Sequence, residues 1–276
     1  MSVRVLTSSA EKHNPDVVKL ERKTGEDNLA WIQRAVNEKL SRNLKDRSIL
    51  VLVGGDDPLS FRLRIAQSHV RHDLSPSAWS HVLFMRALDK SLGDSSTMEV
   101  SLTPQGGFGP FGYPAPTNGV QSGRLDVYQS ADLFPNIALL AVPVPAAAIE
   151  ASLDDLKLQR SILDCPQLIL KWLAYCWGVG VPASPLAEGF GIPSAAVLEV
   201  AFAANGFDLT PGLESRSSCP EAIWQAASWW QDYYAKRSGG KSIRGAYSAK
   251  HELVPDSRYG GSSSPVTPAK KHKPEK

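Results

Sequence analysis

Residues 75–85, SPSAWSHVLFM, and residues 191–212, GIPSAAVLEVAFAANGFDLTPG, decide how this chain is read. The first is rich in strand formers and carries His81 in their midst. The second is a short turn opening a helix, with Pro193 at the entrance, Ser194 directly after it and Gly206 where the helix should end. A histidine on a strand facing a hydroxyl at a helix N-terminus is an arrangement for nucleophilic catalysis. The histidine accepts the hydroxyl proton, while the helix dipole and its free N–H groups favour the negative charge that develops. Each residue also has a plainer role. A histidine in an apolar strand is more often a hydrogen-bonded structural residue, and a serine at a helix start is a common N-cap.

Working outward, residues 27–46, DNLAWIQRAVNEKLSRNLKD, place Leu29, Ile32, Ala35, Val36 and Leu40 at helical spacing. SILVLVGG (48–55) reads as a buried strand ended by two glycines, and DDPLSFRLRIAQSHVRHDL (56–74) as a loop with a short helix. TMEVSLT (97–103), RLDVYQS (124–130) and NIALLAVPVP (136–145) read as further strands. Residues 146–178 are helical with a break near Pro166, and a last helix starts at Pro220. A helix, a block of strands and then a block of helices is the α+β pattern. The expected organisation is a helical N-terminal extension over residues 1–47, one domain over 48–237, and a disordered basic tail over 238–276, where Gly, Ser, Pro and Lys dominate.

The 276 residues suffice for one substantial core. Their 42% apolar and 21% charged content is ordinary for a globular chain. A formal net charge of +2, drawn partly from the terminal PAKKHKPEK, argues against nucleic acid as a partner. No apolar run reaches the length of about 18 residues that a membrane span needs. The N-terminus lacks the apolar core of a signal peptide, so synthesis in the cytoplasm is expected. Cys165, Cys176 and Cys219 show no CxxC spacing, and a zinc site is not expected.

Three stretches together resemble the circularly permuted NlpC-like, papain-fold hydrolases. His81 in SHVLF matches the histidine strand, which comes first in the permuted branch, and Glu99 in TMEVS matches the acidic residue of the next strand. SAAVLEVAFAANGFDLTPG resembles the nucleophile helix with its trailing turn, and the family's cysteine falls on Ser194. The likeness spans roughly residues 48–225. It implies a papain-like α+β fold and a catalytic set of residue 194 as nucleophile, His81 as base and Glu99 as its orienting partner. It implies neither cofactor nor metal. Three accounts fit the serine: an introduced replacement of cysteine, a natural serine hydrolase, or a site that has lost its chemistry and serves binding.

The implied activity is an amidase, an acyl hydrolase or an acyltransferase, acting on amide, ester or thioester bonds through an acyl intermediate. The implied substrates are peptidoglycan peptides or acyl lipids. A wall is expected from Trp79, from Phe108, Phe111 and Tyr113 in the Gly/Pro-rich loop, and from Trp224. By analogy, a hydrolase of this type without a leader suggests an effector exported by a specialised secretion system, with an immunity protein as partner. The alternative is a catalytically inactive module that binds a protein. Other candidates are weaker. Cys165 in DCPQL mimics an unpermuted nucleophile but has no histidine strand after it, since His251 and His272 lie in the tail. Cys219 precedes a helix, and His69 and His72 have no evident third ligand. The cluster Trp224, Trp229, Trp230, Tyr233 and Tyr234 is split between core packing and a groove.

Overall fold

The computed structural model describes residues 13–40, 44, 46–86, 92–103, 117–178, 183–237 and 241–250. Among these, the elements in chain order are β1 (Val17–Lys19), α1 (Asn28–Ala35), β2 (Ser48–Gly54), α2 (Pro58–Ala66), β3 (His81–Met85), β4 (Ser96–Glu99), β5 (Gln121–Arg124), β6 (Asn136–Val142), α3 (Ala146–Leu158), α4 (Cys165–Cys176), α5 (Pro193–Ala204), α6 (Pro220–Trp229), α7 (Gln231–Arg237) and β7 (Arg244–Ser248). The fold is α+β, built on a seven-stranded sheet in the order β1-β7-β6-β2-β3-β4-β5. Among the described residues the β1–β7 pair is parallel and the other pairs are antiparallel.

Both faces of the sheet are covered. Leu50, Leu52, Val82, Phe84, Met98 and Leu140 point to a large core shared with the later helices. Ile49, Val51, Val53, Leu83, Met85 and Leu139 point the other way, onto Trp31, Ile32 and Ala35 of α1 and onto Leu40. This explains why β2 and β6 read as continuous apolar runs rather than alternating ones: every residue of both strands is buried. On the first face α5 packs against β3, α3, α4 and α6. Its surroundings account for a helix that is apolar nearly all round. The segment Pro185–Ala204 has the length and hydropathy of a membrane span, but 67% of it is buried in the fold and it ends in this core helix.

Several expectations change. The helix from Asp27 is α-helical only to Ala35 and continues as a π-helical turn, Val36–Leu40. In RLDVYQS the strand stops at Arg124 and a 3-10 turn, Leu125–Tyr128, follows. Leu125 and Tyr128 are both buried, and a 3-10 turn aligns residues three apart on one face, which an extended strand does not. The N-terminal region is not an appendage: Val17–Lys19 is a strand of the sheet and α1 supplies its second core.

The boundary expected at residue 237 also falls inside the fold. β7 lies between β6 and β1, with Ile243 and Ala246 buried. Asn14 ties this return together, its amide donating to Ala227 O (2.9 Å) and Ile243 O (3.0 Å). Five residues flanked by Gly, Ser and Lys carry too little apolar periodicity to announce a strand; two neighbouring strands supply the missing order.

Candidate active site

His81 is the first residue of β3. The turn before it is fixed by Ser80, whose N–H donates to Val53 O (2.9 Å) and whose Oγ accepts from Gly55 N (3.1 Å). β3 and β4 pair with Phe84 opposite Met98 and Met85 opposite Thr97. Continuing this register puts Glu99 opposite Leu83, diagonal to His81 and on the same face, within reach of long side chains. Nε2 of His81 contacts Oε2 of Glu99. Glu99 is 2% exposed, and the same oxygen accepts from the Tyr128 hydroxyl at 2.6 Å. The Tyr128 ring lies nearly parallel to His81, with centroids 5.9 Å apart and planes at 21°.

Ser194 sits in the first turn of α5, after Pro193. The helix-entry loop is tightly tied: Gly191 N donates to Arg216 O (2.8 Å), Ile192 N to Ser218 O (2.9 Å), and Trp172 Nε1 to Gly191 O (2.6 Å). A Cβ at Gly191 would stand 2.4 Å from Ser218 O, so only glycine allows this approach. The capping reading of Ser194 does not hold. Ile192 occupies the cap position, and Ser194 Oγ, buried at 1% exposure, has no hydrogen-bond partner among the described residues. Ala195 N and Ala196 N both bond to Ile192 O at 2.9 Å, while the Ser194 N–H is not taken up by any described acceptor.

Ser194 and His81 line one cleft of about 380 Å³. Its polar wall is Asp57, Ser60, Ser80, Ser101 and Thr103; its apolar wall is Leu59, Leu63, Val100, Leu102, Val127 and Phe134, with Tyr128 completing it. Asp57 is occupied locally as the cap of α2, accepting from Leu59 N (2.9 Å), Ser60 N (3.0 Å) and Ser60 Oγ (2.6 Å). The cleft thus brings together a hydroxyl without a hydrogen-bond partner among the described residues, a histidine in contact with a buried carboxylate, and an apolar wall; Ser194 Oγ and the His81 ring are not hydrogen-bonded to each other.

The expected binding wall is corrected in part. Trp79 is 1% exposed and does not line the cleft; its ring packs on Trp224 with centroids 5.1 Å apart. Trp224 packs in turn on Tyr247 of β7 (4.8 Å) and is also absent from the cleft. Trp79 is part of the core, and the partly buried Trp224 packs between it and Tyr247 of β7. Phe108, Phe111 and Tyr113 lie outside the described residues. Of the remaining aromatic cluster, Tyr234 stacks on Phe207 and its hydroxyl donates to Leu209 O (3.0 Å), which are packing roles.

The three cysteines are free thiols, and burial pushes each up to about 12, Asp164 adding to the effect at Cys165. None is poised as a nucleophile. Burial lowers the pKa of His69, and among the described residues no group of three or more His, Cys, Asp or Glu side chains is arranged to hold a metal ion. Tyr128 was not expected in the site, because the strand reading of RLDVYQS concealed its placement. Ser101 follows the end of β4 and lines the cleft together with Val100, Leu102 and Thr103. Comparison with protein-family models, with curated proteins and with solved structures returned no match.

Proposed function

We propose that the chain is a hydrolase or acyltransferase of papain-like, permuted NlpC type, working through an acyl intermediate on residue 194. The observation that carries this reading is the shared cleft: an unpartnered, buried Ser194 hydroxyl and a His81 ring backed by Glu99 line the same space. In the neutral ring, Nε2–H donates to Glu99, which leaves the Nδ1 lone pair to take a proton. His81 accepts the Ser194 proton as Oγ attacks the substrate carbonyl. The negative charge on the carbonyl oxygen is met by the Ser194 N–H and the dipole of α5. The protonated ring gives its proton to the leaving group as the carbonyl bond to it breaks. Water, or another acceptor deprotonated by His81, then attacks the acyl carbonyl, and Ser194 Oγ leaves with the returned proton. The apolar wall favours an acyl chain in an ester, thioester or lipid over a cell-wall peptide. An exported role against cell wall or membrane, with a neutralising partner, accords with this chemistry.

The test is incubation with p-nitrophenyl acyl esters of graded chain length, followed by peptide mass mapping. An acyl adduct on Ser194 that disappears in His81→Ala supports the proposal. Turnover or adduct formation that survives His81→Ala overturns it. Absence of both in folded protein, for Ser194 and for Ser194→Cys alike, favours the binding module.

A further inference from the structure

We propose that Tyr128 is a positioning residue for His81, acting through the Glu99 carboxylate, and that α1 holds it in place. The inference deepens the hydrolase reading and rests on it. Glu99 Oε2 is the oxygen that meets His81 Nε2, and the same oxygen receives the Tyr128 hydroxyl at 2.6 Å. A phenol held on the oxygen that meets the imidazole restricts how the carboxylate can turn, and loss of the hydroxyl loosens the pairing with the ring. The phenol ring also lies alongside the imidazole at 21°, so a single side chain limits both members of the pair.

Tyr128 is itself fixed from the other side of the molecule. Asn28, the first residue of α1, is fully buried, and its amide donates to Tyr128 O at 2.9 Å and to Phe134 O at 3.1 Å. Its N–H donates to Gln129 O at 2.9 Å. Arg22 contacts the Asn28 side-chain oxygen and donates to Phe134 O at 3.2 Å. Phe134, edge-on to Tyr128 at 5.0 Å, closes the set and lines the cleft. The region ahead of β2 therefore reaches the active-site pair through one loop.

The experiment compares Tyr128→Phe, which keeps the ring and removes the hydroxyl, with Glu99→Gln and the double variant. The first readout is the nitrogen-15 signature of the His81 ring in protein labelled at histidine, which requires no turnover. In the parent, Nε2 should be the protonated nitrogen of the neutral ring, because it faces Glu99. In Tyr128→Phe the signature should move toward a mixture of tautomers, and in the Glu99→Gln background the same change should have no further effect. The second readout is kcat on the acyl esters, expected to fall on the order of tenfold with KM nearly unchanged, the low end for loss of an orienting partner behind a histidine. An unchanged ring signature in Tyr128→Phe overturns the positioning role, whatever the kinetics. A changed signature with no hydrolysis by any form upholds the positioning role and overturns the hydrolase reading.

Discussion

His81 and Glu99 lie eighteen residues apart in the chain and meet through their side chains at one end of the sheet. Neither is opposite the other in the ladder. They are diagonal neighbours on one face, which leaves the ring and the carboxylate room to extend toward each other. The Glu99 side chain is buried and the histidine is partly open, so the acidic partner is shielded while the ring lines the cleft. If the proposed chemistry holds, Glu99→Gln lowers His81-dependent turnover by about 10²–10⁴-fold, because an amide can stabilise the wrong tautomer and cannot support the imidazolium. Steady-state kinetics beside thermal melts check this. A fall in turnover below threefold, with the fold intact, removes Glu99 from the machinery.

A chain ending at Arg237 should be far less stable than one ending at Lys250. The shorter chain loses β7, with buried Ile243 and Ala246, and separates β1 from the strand it pairs with among the described residues. It also bares the edge of β6, a strand apolar throughout. The lost burial alone is worth roughly 3 kcal/mol or more. Urea denaturation of the two chains measures the difference, and equal midpoints would show that β7 contributes nothing.

What the sequence made legible follows from where order is local. β2, β6 and α5 are long apolar runs whose burial is written in their composition, and all three fall where that composition places them. The helices at Pro193 and Pro220 begin where proline sets the first turn. Elements defined by distant partners were not legible. β1 and β7 are short and take their order from strands distant in the chain, β1 from β7 and β7 from β6 and β1. The same division runs through the site. His81, Glu99 and Ser194 stand in recognisable local patterns. Tyr128 enters it through a 3-10 turn and an Asn28 clamp that no local pattern announces. Trp79 and Trp224, chosen for their chemistry, belong to the packing that β7 completes.

Glu199, five residues beyond Ser194 on α5, carries a separate consequence for stability. It is buried, accepts from Leu209 N (3.2 Å) and Thr210 Oγ1 (3.0 Å), and lies beside Asp208. Burial, reinforced by the Asp208 charge, raises its pKa to about 8. In the unfolded chain it returns to the ordinary carboxylate range of about 4.3. Between those values the folded state binds more protons than the unfolded state, so stability falls as pH rises through the window. Glu199→Gln, which cannot ionise, should flatten this part of the stability profile and melt higher than the parent at pH 8. Melting curves from pH 5 to pH 9 decide the matter; parallel profiles would mean that Glu199 is ionised in the folded protein throughout.

The decisive prediction concerns residue 194. A thiol beside a histidine can form an ion pair before the substrate arrives, whereas a hydroxyl must surrender its proton during the attack. If the cleft is built for a thiol, Ser194→Cys raises acyl transfer by orders of magnitude, and alkylation by iodoacetamide slows sharply when His81→Ala is added. If the cleft is built for a hydroxyl, the longer C–S bond displaces the attacking atom from the α5 N–H and the same substitution lowers turnover. Ser194→Ala, which removes an atom with no hydrogen bond among the described residues, should leave the fold intact and abolish the acyl adduct. The measurement is hydrolysis of acyl thioesters, phospholipids and cell-wall peptides by the parent, Ser194→Cys and Ser194→Ala, each with and without His81→Ala. Activity that survives in Ser194→Ala would place the chemistry elsewhere in the molecule, because no attacking group would remain at residue 194.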